Sequence, residues 1–162
     1  MKNLFIAIIS VAFLSACGEM GGESEQSTET KEIETKEGEG STGIAEVPAI
    51  PENASVSFEN LEDGAEVSSP FYVAFGVEGM EVEPAGPVNM GFGHHHLIVD
   101  GEFTPYAQAV PANETHIHYG GGQKGDSLTL DPGMHTLTLQ FADGLHRSYG
   151  EQLSATISVN VK

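Results

Sequence analysis

Short stretches of alternating apolar and polar residues recur between residues 54 and 162, separated by clusters of Gly, Pro and Asp. In the segment PFYVAFGVEG, the apolar side chains Phe71, Val73, Phe75 and Val77 occupy every second position. Successive side chains of a β-strand point to opposite faces, so this period of two predicts strands with one buried face. No window of eleven or more residues in this region shows helical periodicity. The pattern therefore predicts an all-β domain.

Two further alternating stretches, MHTLTLQFADG and SATISVNVK, lie near the C-terminus. The stretch SLTL precedes MHTLTLQFADG and is joined to it through Asp131, Pro132 and Gly133. This is favourable turn chemistry, so we expect SLTL and MHTLTLQFADG to form a hairpin. About 110 residues of strand and turn is a usual size for one sandwich domain. We therefore predict that residues 54–162 form a single antiparallel β-sandwich.

The N-terminus has the pattern of an export signal. Lys2 gives a short positive region, and Leu4 to Leu14 form an apolar segment too short to span a bilayer as a mature helix. The LSAC that follows resembles a bacterial lipobox, which directs cleavage before Cys17 and acylation of that residue. We expect residues 1–16 to be a lipoprotein signal peptide; a plain secretory signal that happens to end near Cys17 is the alternative. Cys17 is the only cysteine, so we expect neither a disulfide nor a thiolate metal ligand.

Residues 17–53 are rich in Glu, Gly, Ser and Thr and hold few apolar residues, so we expect an acidic disordered tether. The whole chain has 24 acidic and 6 basic side chains and a net charge of −18. A polyanion such as nucleic acid would be repelled by this charge, whereas cations would be attracted. We expect a domain held in the cell envelope by an N-terminal lipid. The outer membrane is favoured because Gly18 replaces the Asp that commonly retains lipoproteins at the inner membrane.

Five of the seven histidines form two short clusters, GHHHL and HIH. Side-chain alternation puts His94 and His96 on one face of a strand and His95 on the other, together with the apolar residues that follow. In the second cluster, His116 and His118 share one face. If the apolar side chains mark the core, both His-x-His pairs point away from it, and His95 is a buried, hydrogen-bonded core residue.

Neighbouring strands would bring the two His-x-His pairs together, because facing side chains have Cβ atoms about 4.5 to 5.5 Å apart. Three or four imidazoles could then surround one ion, which suits Zn, Cu or Ni. His146 could add a ligand from a third segment, and Asp100 or Glu114 could orient an imidazole. We expect His135 to be structural. The predicted ligands of a Zn or Cu ion are His94, His96, His116, His118 and His146.

The segments GHHHLIVDG, HIHYGGGQ, LDPGMHTLTLQFADGLHRSYG and SATISVNV together resemble a family of exported bacterial domains of unknown function. The GHHHL, HIH and PG-x-HTL motifs carry the resemblance, which covers residues 55–162. It implies a small immunoglobulin-like β-sandwich and carries over all seven histidines, but it implies no activity.

Two other functions remain open from the sequence. One is a structural or adhesive envelope module whose histidines form hydrogen bonds only. The other is a metal-dependent, cupin-like enzyme, which would need His-x-His, a Glu at a set distance and Pro-x-Gly-x-x-His. The chain instead has Pro132-Gly133-Met134-His135, and Asp100 is nearest the expected Glu position. We therefore favour a metal-binding domain without enzymatic activity. The sequence does not identify a protein partner.

Overall fold

The computed structural model describes residues 46–162. The predicted signal peptide, Cys17 and most of the predicted tether lie outside the described residues. The helical structure within 46–162 is a single 3-10 turn at Glu151–Leu153, and no helix in this part of the chain is long and apolar enough to cross a membrane. The prediction of an all-β domain is confirmed.

The described residues form nine strands: β1 Ser55–Phe58, β2 Ala65–Val67, β3 Phe71–Glu78, β4 Glu81–Val82, β5 Phe92–Val99, β6 His116–His118, β7 Gly125–Leu128, β8 Gly133–Ala142 and β9 Ser154–Val161.

The strands are arranged in two sheets. A three-stranded sheet has the order β1-β3-β7. A six-stranded sheet has the order β2-β9-β8-β5-β4, and β6 also pairs with β5. Most pairings are antiparallel, but β2 with β9 and β4 with β5 are parallel, unlike the predicted arrangement. Alternation in the sequence reports which face of a strand is buried, but not the direction of its neighbour. The immunoglobulin-like form of the sandwich stays a prediction.

Both sheets contribute to one hydrophobic core, and the side chains predicted to face inward do so. Val73 and Phe75 of β3 are 0% and 1% exposed. Leu137, Leu139 and Phe141 of β8, in the other sheet, are fully buried and belong to the same cluster. Each fully buried apolar side chain of this size contributes about 1.5 to 3 kcal/mol, so this shared core is the main attraction between the sheets.

The predicted hairpin through Asp131, Pro132 and Gly133 is wrong. Strand β7 pairs with β3 in the smaller sheet, whereas β8 pairs with β5 and β9 in the larger one. The turn therefore carries the chain from one sheet to the other. Turn chemistry fixes the local reversal but not the strand with which the preceding segment pairs.

The chain packs against the domain before residue 54. Val47 and Ile50 are partly buried against the core. The carbonyl of Pro51 accepts a hydrogen bond of 2.9 Å from the side-chain amide of Gln152. The last part of the predicted tether, from Val47 onward, thus contributes apolar contacts to the folded domain.

Candidate metal centre

Strand β5 positions the histidines because it lies inside the larger sheet, between β8 on one side and β4 and β6 on the other. The register pairs His96 of β5 with His118 of β6. His94 is two residues from His96 and therefore shares its face. One ligand atom from each of these three imidazoles lies within 4.8 Å of the others. The strand alternation and the pairing of β5 with β6 thus produce a three-histidine cluster.

A fourth imidazole comes from the turn after β8. The His146 ring centroid lies 4.6 Å from that of His118, 5.1 Å from that of His94 and 5.9 Å from that of His96. The chain reaches this position through a tight reversal, in which the Asp143 N–H bonds the Arg147 carbonyl and the His146 N–H bonds the Asp143 carbonyl. His146, predicted as a ligand from a third segment, therefore lies beside the three-histidine cluster.

Within each of two pairs, the ring nitrogens are spaced as ligands of one ion would be. The Nε2 atoms of His94 and His96 are 3.1 Å apart, and those of His118 and His146 are also 3.1 Å apart. Four nitrogens bound tetrahedrally at 2.0 to 2.1 Å from zinc would lie about 3.3 Å from one another. The spacing within each pair is therefore close to that of two nitrogens bound to one zinc ion.

Burial keeps these imidazoles uncharged, as metal ligands must be. His94 and His96 are 0% exposed. Burial, followed by the charges of neighbouring histidines, lowers the pKa of His94 to about 4 and that of His96 to about 2. Burial and the charge of His146 also lower the pKa of His118. At neutral pH these rings are therefore neutral, with lone pairs available to a cation.

The face that carries the cluster points away from the hydrophobic core, as predicted, but at β5 it is not open to solvent. The same face of β8 carries Thr138 and Gln140, and both are fully buried. The Thr104 N–H donates to the Gln140 side-chain oxygen at 3.1 Å, and Thr138 donates to the Gly101 carbonyl at 2.8 Å. The segment after β5 therefore crosses this face. His118 is exposed and His146 partly exposed, so the cluster reaches solvent on their side.

Residues 73–162 match the family model described as a domain of unknown function, DUF4399. The match covers more than half of the chain and includes all four clustered histidines. The chain belongs to the DUF4399 family. No curated protein and no solved structure matches it significantly.

His116 of this DUF4399 domain lies beside the cluster and not within it. It pairs with Ile98, two positions beyond the pair formed by His96 and His118. Its Nδ1 is 3.1 Å from the Asn113 side-chain oxygen and 3.0 Å from the Thr115 hydroxyl. These contacts place the ring among the polar groups of the preceding loop.

His95 lies in the core, as predicted, but without the expected hydrogen bonds. It is 0% exposed, and its ring centroid lies 5.4 Å from that of Phe75 and 5.0 Å from that of Phe141. Neither ring nitrogen has a hydrogen-bond partner among the described residues. The side chain therefore packs as an aromatic ring, at the cost of an unpaired N–H.

Asp100 orients His135 and not a member of the cluster. Its Oδ2 is 2.8 Å from His135 Nδ1, and His135 Nε2 is 2.9 Å from the Asp131 carbonyl. The bond to Asp100 raises the pKa of His135, and the Thr136 backbone N–H, followed by His135, lowers the pKa of Asp100. Glu114, the other predicted orienting residue, is exposed.

Three polar residues near the cluster were not predicted from the sequence. Gln140 lies directly opposite His96 in the register and is fully hydrogen bonded to the backbone around it. Asp143 and Arg147 form an ion pair of 2.7 Å that braces the turn carrying His146. The Asp-Gly sequence at the start of this turn is a turn signal, but it does not reveal a contact with Arg147.

Proposed function

We propose that this DUF4399 domain binds a transition-metal ion, Zn or Cu, through His94, His96 and His118, with His146 as the fourth ligand. The observation that carries the proposal is the convergence of three ligand atoms within 4.8 Å on one face of β5 and β6. Every donor is an imidazole nitrogen. Such a set suits Zn and Cu, whereas Mg, Ca and Mn prefer oxygen ligands.

The donor number supports binding over catalysis. Structural zinc sites use four protein ligands, whereas catalytic sites hold the ion with three and leave a position for water or substrate. The Nε2 atom of His146 lies 3.1 Å from that of His118, so a fourth nitrogen is available to fill that position. The domain therefore fits a role in holding or delivering the ion better than a role in activating a water molecule.

Metal titration of the untagged domain, prepared free of metal, tests the proposal. The wild type should bind one equivalent of Zn or Cu, and the double variant His94→Ala/His96→Ala should bind none. His135→Ala is the control, because it removes an imidazole of β8 from the same sheet but leaves the cluster intact. This variant should bind one equivalent. A wild type that binds no metal at neutral pH, or a double variant that still binds one equivalent, would refute the proposal.

The same geometry offers a second candidate, in which the histidines only hold β5, β6 and the turn together. The Nε2 pairs at 3.1 Å are within hydrogen-bond distance when one ring of each pair carries the proton. In that case the double variant would lower stability, but the wild type would show neither metal stoichiometry nor stabilisation by metal. The titration above therefore separates the two functions.

We also propose that the domain is held at an envelope membrane through an acylated Cys17. The proposal rests on the LSAC motif and on the short apolar segment before it. Cys17→Ser should release the protein from the membrane fraction or leave it as the uncleaved precursor. A variant that stays membrane-bound with the mature mass would exclude lipid anchoring at this residue.

A further inference from the structure

The turn that carries His146 is built around one carboxylate. Asp143 is fully buried. Its Oδ1 accepts hydrogen bonds of 2.9 Å from the backbone N–H groups of Leu145 and Arg147. Its Oδ2 accepts from the Arg147 guanidinium, at 2.8 Å from Nε and 2.7 Å from Nη2. All of these bonds go to the turn itself, so the carboxylate fixes the backbone on both sides of His146.

His146 has a backbone conformation that is uncommon for residues other than glycine. Its φ is 66°, in the left-handed region that favours glycine. Glycine would fit this backbone better, so the conformation itself gives no reason for an imidazole here. The imidazole instead completes the group of four rings. An unfavourable conformation at a residue that faces a candidate site indicates a functional constraint.

We propose that Asp143 and Arg147 are positioning residues, which hold the turn so that His146 is presented as the fourth ligand of the metal. The inference rests on the proposed function of the cluster. It adds that affinity for the metal depends on two residues that do not ligate it. None of the Asp143 hydrogen bonds reaches an imidazole. Its charge also acts on His94 through space, so the positioning role is the part of its effect that depends on the presence of His146.

A double-mutant cycle between Asp143 and His146 tests this dependence. His146→Gly removes the imidazole but accepts the positive φ, so the turn should be retained. Asp143→Asn keeps the shape of the side chain but removes the charge that pairs with Arg147. In the wild-type background, Asp143→Asn should lower zinc affinity about 10- to 100-fold, the usual loss when a residue supporting a ligand is changed. In the His146→Gly background the same change should lower zinc affinity by a clearly smaller factor, because the ligand it positions is gone and only the through-space effect of the lost charge remains.

Copper provides a second readout, the number of coordinated nitrogens, which would not change if Asp143 only stabilised the fold. The electron paramagnetic resonance spectrum of the Cu(II)-loaded wild type should show four coordinated nitrogens, and that of His146→Gly should show three. Asp143→Asn should show three nitrogens, or a mixture of three and four. If Asp143→Asn does not fold, Arg147→Lys should give the same cycle and the same spectra, because it keeps the positive charge but loses the forked geometry.

The possible results separate this inference from the proposed function. A wild type that binds no metal refutes both. A wild type that binds metal, with losses from Asp143→Asn and His146→Gly that simply add, keeps the metal site and refutes the positioning role. An Asp143→Asn variant with wild-type affinity and four coordinated nitrogens refutes the positioning role as well.

Discussion

Replacing His95 with Leu removes a polar group from the core and tests how that group affects stability. His95 is fully buried between the rings of Phe75 and Phe141, and neither of its nitrogens has a hydrogen-bond partner among the described residues. A neutral imidazole carries one N–H, so folding removes that N–H from water without replacing the hydrogen bond. Leucine fills a similar volume and has no such group.

The expected gain at neutral pH is the difference between two terms. An unpaired buried donor costs about 1 to 3 kcal/mol, and reshaping a core around a similar apolar side chain costs less than about 1.5 kcal/mol. At pH 7.5 we therefore expect His95→Leu to lie between about 0.5 kcal/mol less stable and about 3 kcal/mol more stable than the wild type. His95→Ala also removes the N–H but leaves a cavity, and we expect it to lose about 2 kcal/mol or more.

Acid should enlarge the difference between His95→Leu and the wild type. Burial, followed by the charges of His94 and Lys124, lowers the pKa of His95 from 6.5 to about 4. Below pH 6.5 the unfolded chain binds a proton at this residue while the folded chain does not, so the stability of the folded state falls as the pH falls towards 4. Between pH 7.5 and pH 5 this linkage costs the wild type about 2 kcal/mol, and His95→Leu is free of that loss.

The assay is urea unfolding followed by circular dichroism at pH 7.5 and pH 5, with a chelator present so that no metal contributes. His95→Leu should lose about 2 kcal/mol less than the wild type between the two pH values. An equal loss in both proteins would show that His95 is protonated or hydrogen bonded in the folded state. A loss of more than about 2 kcal/mol for His95→Leu at pH 7.5 would show that the imidazole makes a favourable contact in the core.

Three further outcomes are expected. The pair of His135 and Asp100 should stabilise the folded state mainly between about pH 4 and 6.5. Above this window His135 loses its proton, so the stability that comes from its raised pKa is lost. Below this window Asp100 becomes protonated, so the stability that comes from its lowered pKa is lost. Asp100 is 51% exposed, so Asp100→Asn should cost less than about 1 kcal/mol in thermal melts within that window, and an effect confined to pH above 8 would contradict this. Deleting residues 18–45 should leave the melting temperature unchanged, because their composition predicts disorder. Deleting 18–53 should lower it by more than about 5 °C, because this deletion removes Val47 and Ile50, which pack against the core; equal melting temperatures would contradict this. His116→Ala should keep zinc affinity within about threefold of the wild type in the same titration, and a larger loss would place this ring among the ligands.

The larger part of the fold could be predicted because strand periodicity is a local property. Alternation within β3 and β8 identified the buried side chains, such as Phe75 and Leu139, and these form the core. The same rule separated His95 from its two neighbours, and their opposite environments in the structure follow from it. The predicted hairpin between β7 and β8 failed because a turn sequence specifies a reversal but not the partner of the strand that leads into it.

The sequence by itself determined that this chain forms an all-β domain, that two His-x-His pairs lie on strand faces away from the core, and that His95 faces inward. These properties depend only on the alternation of side chains along a strand. The tertiary structure decided which histidines meet. The register of β5 with β6 brings His118 to His96 and leaves His116 beside Ile98. The turn braced by Asp143 and Arg147 brings in His146. Register and turn geometry depend on contacts between residues distant in the sequence, and no local pattern records them.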